Sequence, residues 1–184
     1  MGEVIYRKAI VNDAYNIEFV AANSWMQTYS NLMPYDYLKN RIDNIDKKVD
    51  NIKDFLSKTT TYYVAEVDNK IVGILHYSKC NDDKYKKYGQ IGAIYVLKEY
   101  QGLGIGKNLF KIAVEGIIEF GYNSMVLECI KDNPSIGFYK KYDGNIVSEY
   151  KRKIDDFYVD AYIIEFNNLK EVLNKLNYKN KNLK

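Results

Sequence analysis

Between residues 94 and 110 the chain reads IYVLKEYQGLGIGKNLF. Gln101, Gly102, Gly104 and Gly106 stand between a β-like run, Ile94-Tyr95-Val96, and an apolar pattern of helical period. A helix start carries backbone N–H groups without intrahelical partners, and its dipole favours negative charge. A phosphate set there accepts several N–H bonds together. Glycine has no Cβ, so the backbone can approach such a ligand closely. The stretch Gln101, Gly102, Leu103, Gly104, Ile105, Gly106, Lys107 is therefore a candidate cradle for a phosphate-bearing ligand, a pyrophosphate in particular.

Two familiar phosphate loops fail on this stretch. A Walker A loop needs glycine where Gln101 stands and Ser/Thr where Asn108 stands. The dinucleotide fingerprint starting at Gly102 needs a third glycine where Lys107 stands. What remains is Gln-x-x-Gly-x-Gly at Gln101, Gly104 and Gly106.

The elements around the loop follow from periodicity. Residues 3–10 predict a strand, and Asn12 or Asp13 can cap a helix over 14–28 with Ile17, Val20, Ala21 and Trp25 on one face. After Met33-Pro34 a helical period runs through Leu38, Ile42, Ile45, Val49, Ile52 and Leu56. The pattern then switches to period two in YYVAEV (62–67) and IVGILHYS (71–78), joined by a tight turn at Asp68-Asn69-Lys70. A strand over 90–96 leads into the loop. Leu109, Phe110, Ala113, Val114 and Ile117 share a helical face after it. A strand at 124–130, a short helix from Asn133-Pro134 to about Tyr142, and two strands joined at Asp155-Asp156 complete the order. This predicts an α/β (α+β) fold: a mixed, mostly antiparallel sheet with helices on its faces. No linker or repeat divides it, so residues 1–166 read as a single domain. Residues 167–184, with Leu169, Val172, Leu173 and Leu176 at helical spacing, read as a C-terminal helical tail packed on or extending from it.

Composition narrows the function classes. With 184 residues the chain can bury a real core. A net charge of +3 without a Lys/Arg stripe argues against nucleic acid. Cys80, Cys129 and His76 lack metal-ligand spacing, so no metal is expected, and free thiols fit a reducing cytoplasm. No apolar run approaches the ~18 residues that span a bilayer, and MGEVIY reads as a strand rather than a leader or lipid site. The 19 tyrosines read first as compositional bias.

EYQGLGIGKNLF, followed after a strand by Asn-x(5)-Tyr in NPSIGFYKKYDG, with RKAIVNDAYNI at the start, resembles the GNAT family of N-acetyltransferases. The likeness spans residues 3 to about 166. It implies a GNAT-like sheet with splayed central strands and acetyl-CoA as cosubstrate. Gln101–Lys107 would wrap the pyrophosphate, while backbone groups of Ile94, Tyr95 and Val96 would meet the pantetheine arm and polarise the thioester carbonyl. Asn133 would steady the same arm, though a helix cap beside Pro134 accounts for it as well. Tyr139 would protonate the departing thiolate. A phenol of pKa ~10 keeps its proton where a thiol of ~8.5 begins to lose one.

The family's usual general base, a Glu six residues before the position of Val96, is Gln90 here. An amide takes no proton at neutral pH. Glu128 is the carboxylate to examine, but strand parity leaves its orientation open, and Glu66 and His76 are weaker candidates. SWMQTYSNLMPYDYL (24–38) is similar to a branch that includes bacterial spermine/spermidine acetyltransferases. Trp25 and Tyr29 are candidates for walling the amine pocket, or for anchoring their helix. The acceptor classes are polyamines, other small amines and peptide amines. A coenzyme-A-binding sensor without useful catalysis is the alternative reading. The late strands and the Leu-rich tail are candidate surfaces for a homodimer.

Overall fold

A computed structural model describes residues 2–178. Backbone packing groups them into two compact units. The first holds the residues up to His76 together with Ala93–Phe110, and the second holds Tyr77–Gly92 and the residues from Lys111 on. The seven strands hydrogen-bond in the order β1-β2-β3-β4-β5-β7-β6. They are β1 (Val4–Lys8), β2 (Tyr62–Val67), β3 (Lys70–Lys79), β4 (Gly89–Val96), β5 (Met125–Ile130), β6 (Asn145–Ile154) and β7 (Phe157–Phe166). With the six α-helices of the described residues this is the mixed α/β fold that the periodicities predict.

In the first unit β1, β2 and β3 form an antiparallel meander. The β2–β3 turn is the expected tight one. Asp68 (φ 49°) and Asn69 (φ 62°) both take left-handed backbone, which short polar residues tolerate and which matches the strand twist. Helix α1 (Ala14–Tyr29) buries Ile17, Val20, Ala21 and Trp25 as its spacing predicts. Its N-terminus differs from expectation. Asp13 makes no side-chain cap. Its carboxylate instead accepts the Ile10 N–H (2.8 Å) and two Arg7 N–H groups (2.7 and 3.0 Å). The single helical period through 38–56 also divides, into α2 (Tyr35–Asp43) and α3 (Ile45–Lys58). The break is Asn44 (φ −116°, ψ 27°), whose backbone N–H and side-chain amide both donate to the Asn40 carbonyl, at 3.1 and 2.8 Å.

In the second unit β4 pairs in parallel with β5 through Gly89, Gln90 and Ile91, and β7 and β6 follow antiparallel. The β6–β7 hairpin turns at Asp155-Asp156, with Asp155 at φ 46°. Helix α4 (Ile105–Glu119) begins in the first unit and ends in the second, and Leu109, Phe110, Ala113, Val114 and Ile117 are fully buried along it. Helix α5 (Ile136–Lys141) follows β5. The tail forms α6 (Leu169–Tyr178), docked through buried Leu169, Val172 and Leu176 and a Lys175–Asp143 ion pair at 2.6 Å. Residues 179–184 of the expected tail lie outside the described residues.

Candidate active site

The glycine stretch lies in the first unit, where the sequence puts it. β4 ends at Val96, a 3-10 turn spans Lys98–Tyr100, and Gln101–Gly104 lie exposed before α4. Gly102 (φ +78°) and Gly104 (φ +83°) take left-handed backbone, and a Cβ at either would meet nothing within 4 Å. Glycine here serves conformation and open access, not packing against the core. The Gln101 side chain donates to the Val96 carbonyl at 2.9 Å and ties the loop back to the strand. Asn108 N–H donates to the Gly104 carbonyl at 3.0 Å, opening the helical ladder. The first turn of a helix is where backbone N–H groups lie ahead of the intrahelical ladder and can meet an anion. From α1, Gln27 Oε1 accepts the Lys98 N–H at 3.0 Å and braces the turn. An open, left-handed, glycine-built start to a 15-residue helix fits a pyrophosphate. Ile94, Tyr95 and Val96, just before it, are half-buried.

Asn133 and Tyr139 lie in the second unit. Asn133 Oδ1 accepts the Ser135 N–H at 2.8 Å, an Asx turn just ahead of α5; the helix N-cap is Ser135, which makes no side-chain cap, so the expected cap role of Asn133 is corrected to a turn. Its own N–H returns to the Ile130 carbonyl at 3.1 Å, which fixes the residue at the end of β5. Tyr139 is buried on α5, edge-on to Phe138 (5.5 Å) and Phe166 (6.5 Å). Its carbonyl accepts the N–H groups of Tyr142 (3.0 Å) and Gly144 (2.9 Å), which closes the short helix around it.

The structure brings Gln90 and Glu128 to one cavity of about 380 Å³ in the second unit. Gln90 is paired with Val126, two residues before Glu128. Leu127 and Cys129 are buried, while Glu128 is half-buried on the other face of β5. Its carboxylate is engaged at both oxygens. Oε1 accepts from Arg152 Nη1, and Oε2 accepts from the Tyr150 hydroxyl. The weaker base candidates sit in the first unit. Glu66 is held by Arg7 at 2.8 Å, and His76 stacks on Tyr62 at 5.5 Å with Phe55 edge-on at 5.0 Å. Burial lowers the His76 pKa, so the ring is neutral at pH 7.

Trp25 and Tyr29 pack edge-to-face at 5.3 Å in the first unit, and both are buried. The Arg41 guanidinium lies 4.5 Å from the Trp25 ring centre. A protein cation thus already uses the aromatic face on which a substrate cation could sit. Arg41 in turn pairs with buried Glu18 at 3.3 Å, and Lys48 reaches the same carboxylate at 3.4 Å. Sequence reasoning missed Arg41, Arg152, Tyr150 and Tyr85, another residue of the cavity wall. No local motif marks Arg41, Arg152 and Tyr150, because each acts on a residue distant in the chain.

Among the described residues no helix is long and apolar enough to cross a membrane. Residues 22–144 match the model of the acetyltransferase (GNAT) family. An uncharacterized N-acetyltransferase of Bacillus subtilis (strain 168), YuaI, is 30% identical over 152 residues, 79% of this chain and 83% of that protein. Among solved structures, the PaiA N-acetyltransferase of Thermoplasma acidophilum in complex with coenzyme A superposes with a TM-score of 0.66 at 19% identity, covering 90% of this chain and 99% of that one. The putative acetyltransferase YncA of Salmonella typhimurium, with acetyl-CoA, superposes with a TM-score of 0.68 at 15% identity, covering 90% and 94%. The family match and the Bacillus relative agree with the loop geometry, and the chain belongs to the acetyltransferase (GNAT) family, a family of N-acetyltransferase enzymes.

Proposed function

We propose that the chain moves an acetyl group from acetyl-CoA to a primary amine, on a small molecule or a peptide, by direct attack in a ternary complex. The observation that carries this reading is the pair of left-handed, open glycines, Gly102 and Gly104, at the start of α4. Gln101–Lys107 hold the pyrophosphate through backbone N–H groups, and Ile94, Tyr95 and Val96 meet the pantetheine arm along the end of β4. Asn133 steadies that arm. The bound cosubstrate supplies an activated acyl thioester. Fixing it beside the amine can account for about 7–11 kcal/mol of barrier in favourable systems. Tyr139 gives the departing sulfur its proton, and its aromatic packing fixes the ring. Trp25 and Tyr29 contribute an apolar wall, with Arg41 already on the indole. Residues 1–166 make up the transferase domain and α6 its docked tail. Two buried free cysteines suit a reducing compartment, the cytoplasm.

A second reading, a coenzyme-A-binding sensor with little catalysis, is favoured by one feature. Position 90 is an amide, and Glu128 in the same cavity is held by Arg152 and Tyr150. Release of coenzyme A, followed with a thiol reagent across small arylalkylamines, polyamines, amino acids and short peptides, separates the two. Acceptor-dependent release supports the transferase. Tight acetyl-CoA binding with silence across the panel supports the sensor. No acetyl-CoA binding at all removes both.

A further inference from the structure

In the first unit the glycine loop is entered through a turn that its own residues do not cap. Leu97 is the N-cap of the 3-10 turn Lys98–Tyr100, and its side chain makes no capping bond. The N–H groups that open a helical turn need an acceptor from elsewhere. Lys98 finds one 71 residues away in the chain, where Gln27 Oε1 accepts its N–H at 3.0 Å. Gln27 stands on the last turn of α1. The other half of the same amide, Nε2, donates to Glu99 Oε2 at 3.5 Å. Gln27, Lys98 and Glu99 are all exposed, so hydrogen bonding rather than packing joins them.

The residue type suits the task. The turn presents an N–H at Lys98 and a carboxylate at Glu99, and one side-chain amide answers both. A carboxylate at position 27 would oppose Glu99, and a Lys would offer Lys98 no acceptor. The turn then runs straight into the loop. The Gln101 N–H donates to the Lys98 carbonyl at 3.1 Å, and its side chain returns to Val96. Beyond the loop, Asn108 donates its side-chain amide to the Tyr6 hydroxyl of β1 at 3.0 Å. The loop is thus a short exposed span, held on entry by α1 and on exit by β1, with Gly102 and Gly104 between. A backbone cradle that must be ordered at the moment of binding loses affinity to that ordering. We propose that Gln27 is a positioning residue for the cosubstrate: from α1 it sets the entry turn, and through that turn the approach of Gln101–Lys107 to the pyrophosphate. The inference rests on the acetyl-CoA reading above and adds to it a residue that the loop motif does not contain.

The test is acetyl-CoA calorimetry on the wild type, on Gln27→Met, and on Gln27→Glu combined with Glu99→Gln. Methionine keeps the length of the side chain and loses both bonds. The double exchange keeps an acceptor for Lys98, swaps amide and carboxylate between positions 27 and 99, and leaves the net charge unchanged. Gln27→Met is expected to raise the acetyl-CoA Kd about five- to tenfold, the scale of one neutral hydrogen bond, with Tm within about 2 °C of wild type. The double exchange is expected to return Kd to within about twofold of wild type. By hydrogen exchange on the ligand-free protein, the Lys98 amide of Gln27→Met is expected to exchange at least about tenfold faster while the α1 amides keep their rates. An unchanged Kd in Gln27→Met, a loss that the double exchange does not restore, a loss matched by general destabilisation, or an unchanged Lys98 exchange rate each overturns the positioning role. Wild-type protein that does not bind acetyl-CoA overturns the cosubstrate reading itself, and the role of Gln27 with it.

Discussion

Gln101 donates its side-chain amide to the Val96 carbonyl at 2.9 Å, across five residues of chain. This bond ties the first residue of the glycine loop to the strand end that the proposed mechanism uses. It also lets the loop stand exposed without being slack. Gly102 and Gly104 then take left-handed backbone just ahead of α4.

Gly104→Ala tests that geometry. A methyl group has room, so the cost comes from φ +83°, about 1–2 kcal/mol for an L-residue. The loop would relax away from its cradle shape. Acetyl-CoA affinity, measured by calorimetry, is expected to fall about tenfold, with a small drop in Tm. Unchanged affinity would detach the glycines from the cosubstrate.

Tyr139→Phe keeps the ring between Phe138 and Phe166 and removes only the hydroxyl. The expected result is a kcat lower by about 10²-fold with acetyl-CoA affinity retained, the pattern for loss of an acid that acts in the transition state. An equal loss of affinity and Tm would make Tyr139 a packing residue.

Asp13 is a stability residue with a defined pH signature. Burial alone would raise its pKa, but the Arg7 hydrogen bonds and the Ile10 N–H outweigh it, and the carboxyl sits below its ordinary value. A depressed folded pKa adds stability above the unfolded pKa of about 3.9, and that stability is lost as pH falls through the lower folded value. Asp13→Asn is expected to cost about 1–3 kcal/mol in urea denaturation at pH 7, and less below pH 4. Arg7 is partly exposed, which keeps the figure below that of a fully buried pair. Equal losses at both pH values would contradict the account.

Cys80 and Cys129 are both buried, and burial pushes the Cys129 thiol up to about 12. The thiolate is the reactive form. Native protein at pH 8 is expected to react with a thiol reagent at least about a hundredfold more slowly than free coenzyme A, and to release both thiols on unfolding. Rapid titration of either in the native state would refute this. The slow background also makes coenzyme A release a clean assay.

Local physics made much of this molecule legible in the sequence. The left-handed hairpin positions fell to Asp68, Asn69 and Asp155, and the loop positions to Gly102 and Gly104. The apolar face of α4 was readable because each residue acts within a turn or two of its neighbours. Asn44 was the local exception: its backbone leaves the helical region and divides a period that the apolar spacing alone carried on. The cavity of the second unit was not legible, because it depends on register. β6 shifts register between Ile146 and Ser148, and after that shift Tyr150 and Arg152 reach Glu128. One residue of slip exchanges the two faces of a strand, and no spacing within residues 145–154 reveals it. The placement of Arg41 on Trp25, and of Tyr85 beside Gln90, is of the same kind. Composition and period set the elements and the glycine loop; packing between distant segments decided which side chains share a wall.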